Sequence, residues 1–383
     1  MNILEEIQNC PVEWKELGEV VEVLDSLRRP ITKSQRIPGD IPYYGANGIQ
    51  DYVKDWIFDG TFILMGEDGS VIKNDNSPIL HWVIGKIWVN NHAHILGEVP
   101  GCALLKYVYY VLSQTDVSDI VRGTPPKLNQ KNLKSIKIPI PPLEIQEKIV
   151  QILDKFTDYV TELTSELTSR KKQYSYYRDK LLSFEDEVYQ VEWKTLGEVA
   201  ENLDNMRKPV AKGGRSLGIY PYYGASGIVD YVDSFIFDGD YLLISEDGAN
   251  LVVRKTPIAF AISGKTWVNN HAHVLKFDNI INQKFVNYYL NYLDLSPYIT
   301  GAAQPKLNQQ NLNSIKIPYP SLEIQSRIVQ VLDNFDMVCN DLNIGLPKEI
   351  ELRQKQYEYS REKLLTFVAE GEYTDSTVQT RHH

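Results

Sequence analysis

Residues 12–156 of this chain are written a second time at 191–335, at an offset of 179. VEWKELGEV (12–20) returns as VEWKTLGEV (191–199), and YYGANGIQDYVKDWIFDG (43–60) returns as YYGASGIVDYVDSFIFDG (222–239). GKIWVNNHAH (85–94) returns as GKTWVNNHAH (264–273), and PKLNQKNLKSIKIP (126–139) as PKLNQQNLNSIKIP (305–318). A period this long is a domain, not the unit of roughly 20–50 residues that builds a solenoid. The chain is therefore a duplicated module, and its copies are expected to be related by a pseudo-twofold axis. A partner with twofold character of its own suits that symmetry, and duplex DNA is the leading one.

The net charge of −10 argues against nucleic acid until it is divided along the chain. Residues 22–141 hold 13 basic and 12 acidic side chains, and residues 201–320 hold 11 and 10, so each repeated domain stands at +1. The stretches 1–21, 142–200 and 321–383 stand at −4 each. A near-neutral domain binds DNA when its cations share a face, but feebly, because phosphate neutralisation supplies most non-specific affinity. A basic partner subunit would supply the rest. No run reaches the roughly 18 apolar residues of a membrane span, and Met1–Pro11 has no signal-peptide pattern. Cys10, Cys102 and Cys339 lack metal-site spacing, so free thiols in the cytoplasm are expected.

Both copies share one grammar. An aromatic opening (Trp14, Trp193) leads into a stretch rich in Gly, Pro and Tyr. Short β-like runs follow at Thr61–Met65, Ile79–Ile84 and Ile87–Val89, and at Tyr241–Ser245, Ile258–Ile262 and Thr266–Val268. Glu67-Asp68-Gly69 and Glu246-Asp247-Gly248 supply turns. A helix-like segment (Lys106–Leu112; Gln283–Leu293), the PKLN loop and the strand SIKIP complete each copy. The runs are too short and too close for βαβ units.

Prolines then close each domain, and apolar residues recur at steps of 3 and 4 from Ile145 through Phe184 and from Ile324 through Leu342. A helix over 143–184 would be about 60 Å long. In the second copy Gly345 and Pro347 interrupt the pattern, which resumes at 352–367 with the offset moved to 183. The spacing predicts an α+β protein: two mixed α/β domains joined by two long antiparallel helices that form a coiled-coil-like rod. The expected boundaries are domain one at 1–141, a central helix at 142–185, domain two at 186–320, a second helix at 321–367 and a disordered tail at 368–383. Asn2–Pro11 echoes Leu182–Gln190, so the end of the second helix is expected to return to the first domain.

The most chemical element is Asn90-Asn91-His92-Ala93-His94, repeated as Asn269-Asn270-His271-Ala272-His273. On a strand the two histidines share a face, which suits a metal; Asp68 or Glu67 is the nearest guess for a third ligand. A buried polar ladder and a nucleic-acid contact are the other readings, since Asn reads adenine edges and His can meet phosphate or base. Basic residues persist at Arg28/Arg207, Arg29/Lys208, Lys33/Lys212, Arg36/Arg215, Lys86/Lys265, Lys127/Lys306 and Lys137/Lys316. Beside Pro and Gly loops they suit phosphate contacts as a set, although solvated surface charge is the plain alternative for any one. Tyr43, Tyr44, Tyr222 and Tyr223 could stack on DNA or lie in the core. No nucleotide-binding loop, methyltransferase, metalloprotease or hydrolase signature is present, so the chain reads as a binder with no catalytic residues and no bound metal.

The segments TPPKLNQKNLKSIKIPIPPLEIQEKIVQILDKF (124–156) and AQPKLNQQNLNSIKIPYPSLEIQSRIVQVLDNF (303–335) resemble the passage from a recognition domain into a shared helical region in the specificity subunits of type I restriction–modification enzymes. That resemblance covers essentially the whole chain. It implies that each domain reads one half of a bipartite site in double-stranded DNA. It implies two modification subunits docked on the helix pair, which bring S-adenosylmethionine and methylate adenine, and a restriction (motor-nuclease) subunit that can join them. The chain itself would need no cofactor and no membrane. Recognition domains in this family normally differ from one another, whereas these are nearly alike, so the two half-sites are expected to resemble each other. The competing reading is a pseudo-symmetric protein-binding scaffold without DNA readout; a duplicated HxH metalloenzyme is a third.

Overall fold

A computed structural model describes residues 3–184, 191–301 and 303–367. The tail expected at 368–383 lies outside the described residues. The chain divides into two compact units, each drawing on non-adjacent stretches or on part of a shared helix. The first holds the residues up to Glu162 together with those from Ile350 onward; the second runs from Leu163 to Glu349. The division differs from the linear partition expected from sequence, because the 41-residue helix Leu143–Ser183 gives its first half to one unit and its second half to the other.

In the first unit the strands are β1 (Glu13–Glu16), β2 (Val21–Val23), β3 (Pro38–Gly45), β4 (Gly48–Val53), β5 (Phe58–Gly66), β6 (Leu80–Val89), β7 (Ala93–Glu98) and β8 (Lys137–Ile140). Six of them form one sheet in the order β2-β7-β5-β6-β3-β4, with β3 and β6 parallel and the other pairs antiparallel. The first and last strands close the domain, β1 against β8 with Trp14 opposite Pro139. The second unit does the same with Trp193 opposite Pro318. Its main sheet is split into two four-stranded pieces, however. The β-like runs Ile79–Ile84 and Ile87–Val89 are one strand, β6, whereas their counterparts Ala259–Ile262 and Lys265–Val268 are separate. The interruption falls at Gly239 and Gly264, where Asp240 and Ser263 stand in place of Thr61 and Ile84. Losing two β-branched residues lowers the preference for an extended ladder there.

Local signals explain the shorter elements. Asn129 and Asn308 of the PKLN loops cap the helices Gln130–Lys134 and Gln309–Ser314 by accepting from the backbone N–H of Asn132 and Asn311. A β-bulge bends β3 between Pro38 and Ile41, and its counterpart bends between Leu217 and Tyr220. Glycine is required at both bends: a Cβ on Gly39 would lie 2.5 Å from the Lys54 Cα, and one on Gly218 2.2 Å from the Val232 carbonyl oxygen. Gly218→Ala is therefore expected to cost about 1–3 kcal/mol by forcing two backbones apart. A urea midpoint equal to that of the unaltered chain would contradict this.

The helices dock through the repeated Leu-Glu-Ile-Gln segments (143–146 and 322–325). Buried Gln146 donates to the Pro141 carbonyl at 2.8 Å and accepts from the Leu104 N–H at 2.9 Å; Gln325 donates to Pro320 at 2.9 Å. A second anchor joins Tyr110 and Lys106 to Asp154, and in the other unit Tyr288 and Lys284 to Asp333. The offset is 178 for the anchoring Tyr and Lys and 179 for the Asp, so one residue is lost before this helix and regained after it.

In the first unit Arg353 lies over the Tyr159 ring, while Tyr357, one turn on, packs against the core that holds Tyr110 and Leu153. The helix Leu346–Leu364 therefore runs opposite to the start of the long helix. In the second unit Phe335 stacks on Tyr174 and Tyr177, and Cys339 approaches Lys171 and Arg170, again in opposite directions. The interruption expected near Gly345 separates Leu322–Asn340 from Leu346–Leu364, and the helix resumes at Leu346, before 352. A Cβ on Gly345 would lie 2.5 Å from the Met337 carbonyl oxygen. The expected return to the first domain is also present, with Leu364 and Phe367 buried in a core that includes Ile149, Leu153 and Tyr107.

Candidate nucleic-acid interface

Four loops of each unit meet at the end of the central strands: the turn after β2, the Glu-Asp-Gly turn after β5, the Asn-Asn-His turn between β6 and β7, and the PKLN loop. A buried ionic network holds them together. The Arg28 guanidinium lies 2.5 Å from Glu67 Oε2 and 3.6 Å from Asp25 Oδ2, and donates to the Ala93 carbonyl at 2.8 Å. His94 is fully buried, with Nδ1 2.6 Å from Asp25 and Nε2 2.7 Å from the Leu128 carbonyl. Oxygen atoms of Asp25 and Leu128 thus face both ring nitrogens. Gln130 and the Ile95 N–H also donate to Asp25, at 3.1 Å each.

The second unit repeats the network. Arg207 bonds Glu246 at 2.6 Å and Ala272 at 2.8 Å, and His273 lies 2.6 Å from Asp204 and 2.7 Å from the Leu307 carbonyl. Burial by itself would raise the Asp25 carboxyl. The His94 hydrogen bond and charge, the Ile95 N–H and Arg28 outweigh it and hold the group below the usual carboxylate range. Asp204 is lowered in the same way by His273, Val274 and Arg207.

Asp25, Glu67 and His94 bring one ligand atom each within 4.8 Å of one another, as do Asp204, Glu246 and His273. The arginine already supplies positive charge to both carboxylates, and each imidazole nitrogen already has a partner. The HxH arrangement offers no shared face for a metal either, because His92 is exposed and its ring turns to Asp68.

The structure therefore sorts the sequence candidates. Arg28, His94, Arg207 and His273 belong to the network, and both nitrogens of each histidine ring have partners. Tyr43 and Tyr222 are buried at 1% exposure, with hydroxyls on the backbone of Ile31 and Val210. Arg36 and Arg215 lie over those rings and pair with Asp51 and Asp230 at 3.1 and 3.0 Å. Asn90 and Asn269 are buried, each accepting the N–H of the residue two positions on. These ten are framework: six are buried, and the four arginines are half-buried and already paired with carboxylates. Tyr44 and Tyr223 are half-buried.

The exposed candidates are Arg29, Lys33, Lys86, Asn91, His92, Lys127 and Lys137, with Lys208, Lys212, Lys265, Asn270, His271, Lys306 and Lys316. Lys86 lies 3.6 Å over Trp56, and Lys265 4.7 Å over Phe235. The network brings together Asn91, His92 and Lys127: Lys127 pairs with Glu67 at 3.3 Å, and its backbone bridges to Asp68, the partner of His92. Asn270, His271 and Lys306 stand in the same relation to Glu246 and Asp247. Sequence reasoning took the cations and gave their acids no part in the interface, although Asp25/Asp204, Glu67/Glu246 and Asp68/Asp247 recur at the same offset of 179.

The family model described as type I restriction modification DNA specificity domain matches this chain twice, over residues 11–170 and 190–352. The chain belongs to the type I DNA specificity family. It is 34% identical to a putative type I restriction enzyme specificity subunit of Haemophilus influenzae, covering 94% of this chain and 97% of that one. It is 37% identical to the EcoR124I/EcoR124II specificity subunit of Escherichia coli, covering 96% and 97%. The solved structure of the type I restriction-modification S subunit from M. genitalium superposes with a TM-score of 0.65 over 94% of this chain and 97% of that one; at 18% identity the likeness is one of fold. Among the described residues no helix is long and apolar enough to cross a membrane.

Proposed function

We propose that this specificity protein is the non-catalytic DNA-reading subunit of an adenine-methylating complex, each unit addressing one half of a bipartite duplex site. The carrying observation is the doubled exposed cluster, Asn91-His92-Lys127 and Asn270-His271-Lys306, held by the same buried network in both units. The two buried networks hold their loops in place, so neither cluster must be ordered when a ligand arrives. The paired helices would set the half-site spacing and offer their acidic surface to two modification subunits that carry S-adenosylmethionine. A restriction subunit would join through those partners. The likeness of the clusters predicts half-sites that resemble each other, giving an interrupted near-palindrome. Mapping methylated adenines in cells that carry the complex tests this: one bipartite motif with related halves is expected, and two unrelated halves would overturn it.

A further inference from the structure

We propose that the His92 and His271 rings each read an amino group on a base edge through Nε2, and that Asp68 and Asp247 are the positioning residues that make this possible. The inference rests on the DNA-reading function above and assigns it atoms.

His92 is held at every point except one. Its N–H donates to Asn90 Oδ1 at 2.8 Å, its carbonyl accepts the Glu67 N–H at 2.8 Å, and its Nδ1 bonds Asp68 Oδ1. Asp68 is fixed in turn: its backbone bridges to Lys127, and the next residue, Gly69, donates to the Pro126 carbonyl at 3.0 Å. Nε2 has no partner among the described residues, and the side chain is 48% exposed.

The second unit repeats each contact. The His271 N–H lies 2.8 Å from Asn269, its carbonyl 2.9 Å from the Glu246 N–H, and its Nδ1 2.8 Å from Asp247, with 52% of the side chain exposed. Such repetition is not needed for a solvated surface histidine, which packs against nothing and can rotate freely.

The chemistry follows from the bond at Nδ1. A carboxylate there accepts a hydrogen bond from Nδ1–H, so the neutral ring presents Nε2 as an acceptor. In the major groove the donors are the exocyclic amino groups of adenine and cytosine. Asn91 and Asn270, exposed beside the rings, add an amide able to both donate and accept. A phosphate contact fits less well, because Asp68 sits directly behind the ring and Lys127 is partly neutralised by Glu67.

Asn and Gln separate the two ring nitrogens, since the Asn amide overlays Nδ1 and the Gln amide overlays Nε2. The test is selection from a library of randomised duplexes by the full chain assembled with its modification subunits. The unaltered complex is expected to select a bipartite motif; failure to select any motif would sink the DNA-reading function and this inference together. With the motif in hand, His92→Asn is expected to lower the preference at one A or C position of one half-site about tenfold, leaving the other half unchanged, while His92→Gln keeps part of it. His271→Asn should do the same at the corresponding position of the other half-site, and Asp68→Asn should weaken the same position as His92→Asn. Thermal unfolding of each variant separates readout from folding. An unchanged motif, an equal loss of affinity for all sequences, or the opposite order with Asn tolerated and Gln not, would each overturn the proposal.

Discussion

Replacing Arg28 by Ala is expected to destabilise the first unit by about 3 kcal/mol, a large share of a domain's stability. The side chain is 13% exposed and touches two carboxylates and two backbone carbonyls, those of Asp25 and Ala93. Removing it leaves Glu67 with Lys127, at 3.3 Å and half in solvent, and with His94 Nδ1 at 3.8 Å, and leaves Asp25 dependent on His94, Gln130 and the Ile95 N–H. Most of the cost is that of two buried charges losing their partner, not the net worth of the pair. Arg28→Met combined with Glu67→Gln should therefore lose less than Arg28→Ala alone, and chemical denaturation of the singles and the double gives the coupling. A coupling below about 0.5 kcal/mol would place the pair with exposed salt bridges and contradict the buried-network reading.

The sign of the pH dependence follows from Asp25 and Asp204. Both carboxyls sit below their ordinary range in the folded protein, so the unfolded chain takes up protons first as pH falls. The stabilisation is complete above the usual carboxylate range and is lost as pH drops through and below it. Asp25→Asn, less stable at neutral pH, should show a flatter loss in acid.

The second large effect is remote in sequence. Leu364→Ala together with Phe367→Ala is expected to destabilise the unit that begins at the other end of the chain, by roughly 5 kcal/mol or more. Both side chains are buried, at 2% and 7% exposure, in the core that holds Ile149, Leu153 and Tyr107. Their truncation leaves a cavity under the first recognition sheet while the core around Leu242, Leu275 and Phe285 in the second unit is untouched. Limited proteolysis should release new cleavage sites within residues 13–140 before any appear within 191–320. Equal sensitivity of both stretches would argue against the closure of the first unit by the C-terminal helix.

Much of this molecule was readable from its letters. The repeat gave two domains, the prolines gave their ends, and the steps of 3 and 4 gave a helix within a residue of the observed Leu143–Ser183. Strand lengths were less readable, because β6 continues through Ile84-Gly85-Lys86 only where its neighbour β5 pairs with it; the same stretch in the second copy does not. The interface was half readable. Residue type and repetition pointed to Asn91, His92 and Lys127, but equally to Arg28, Tyr43 and His94.

The sequence by itself determined that there are two like modules, two helical connectors and an acidic excess that lies outside residues 22–141 and 201–320, because repetition, periodicity and charge are properties of order along a chain. Which polar residues face a ligand was decided only by tertiary structure. His92 and His94 are two positions apart, yet one lies in solvent and the other has no accessible surface to speak of. The difference is made by Asp25 and Leu128, distant in sequence, which close over one ring and leave the other open.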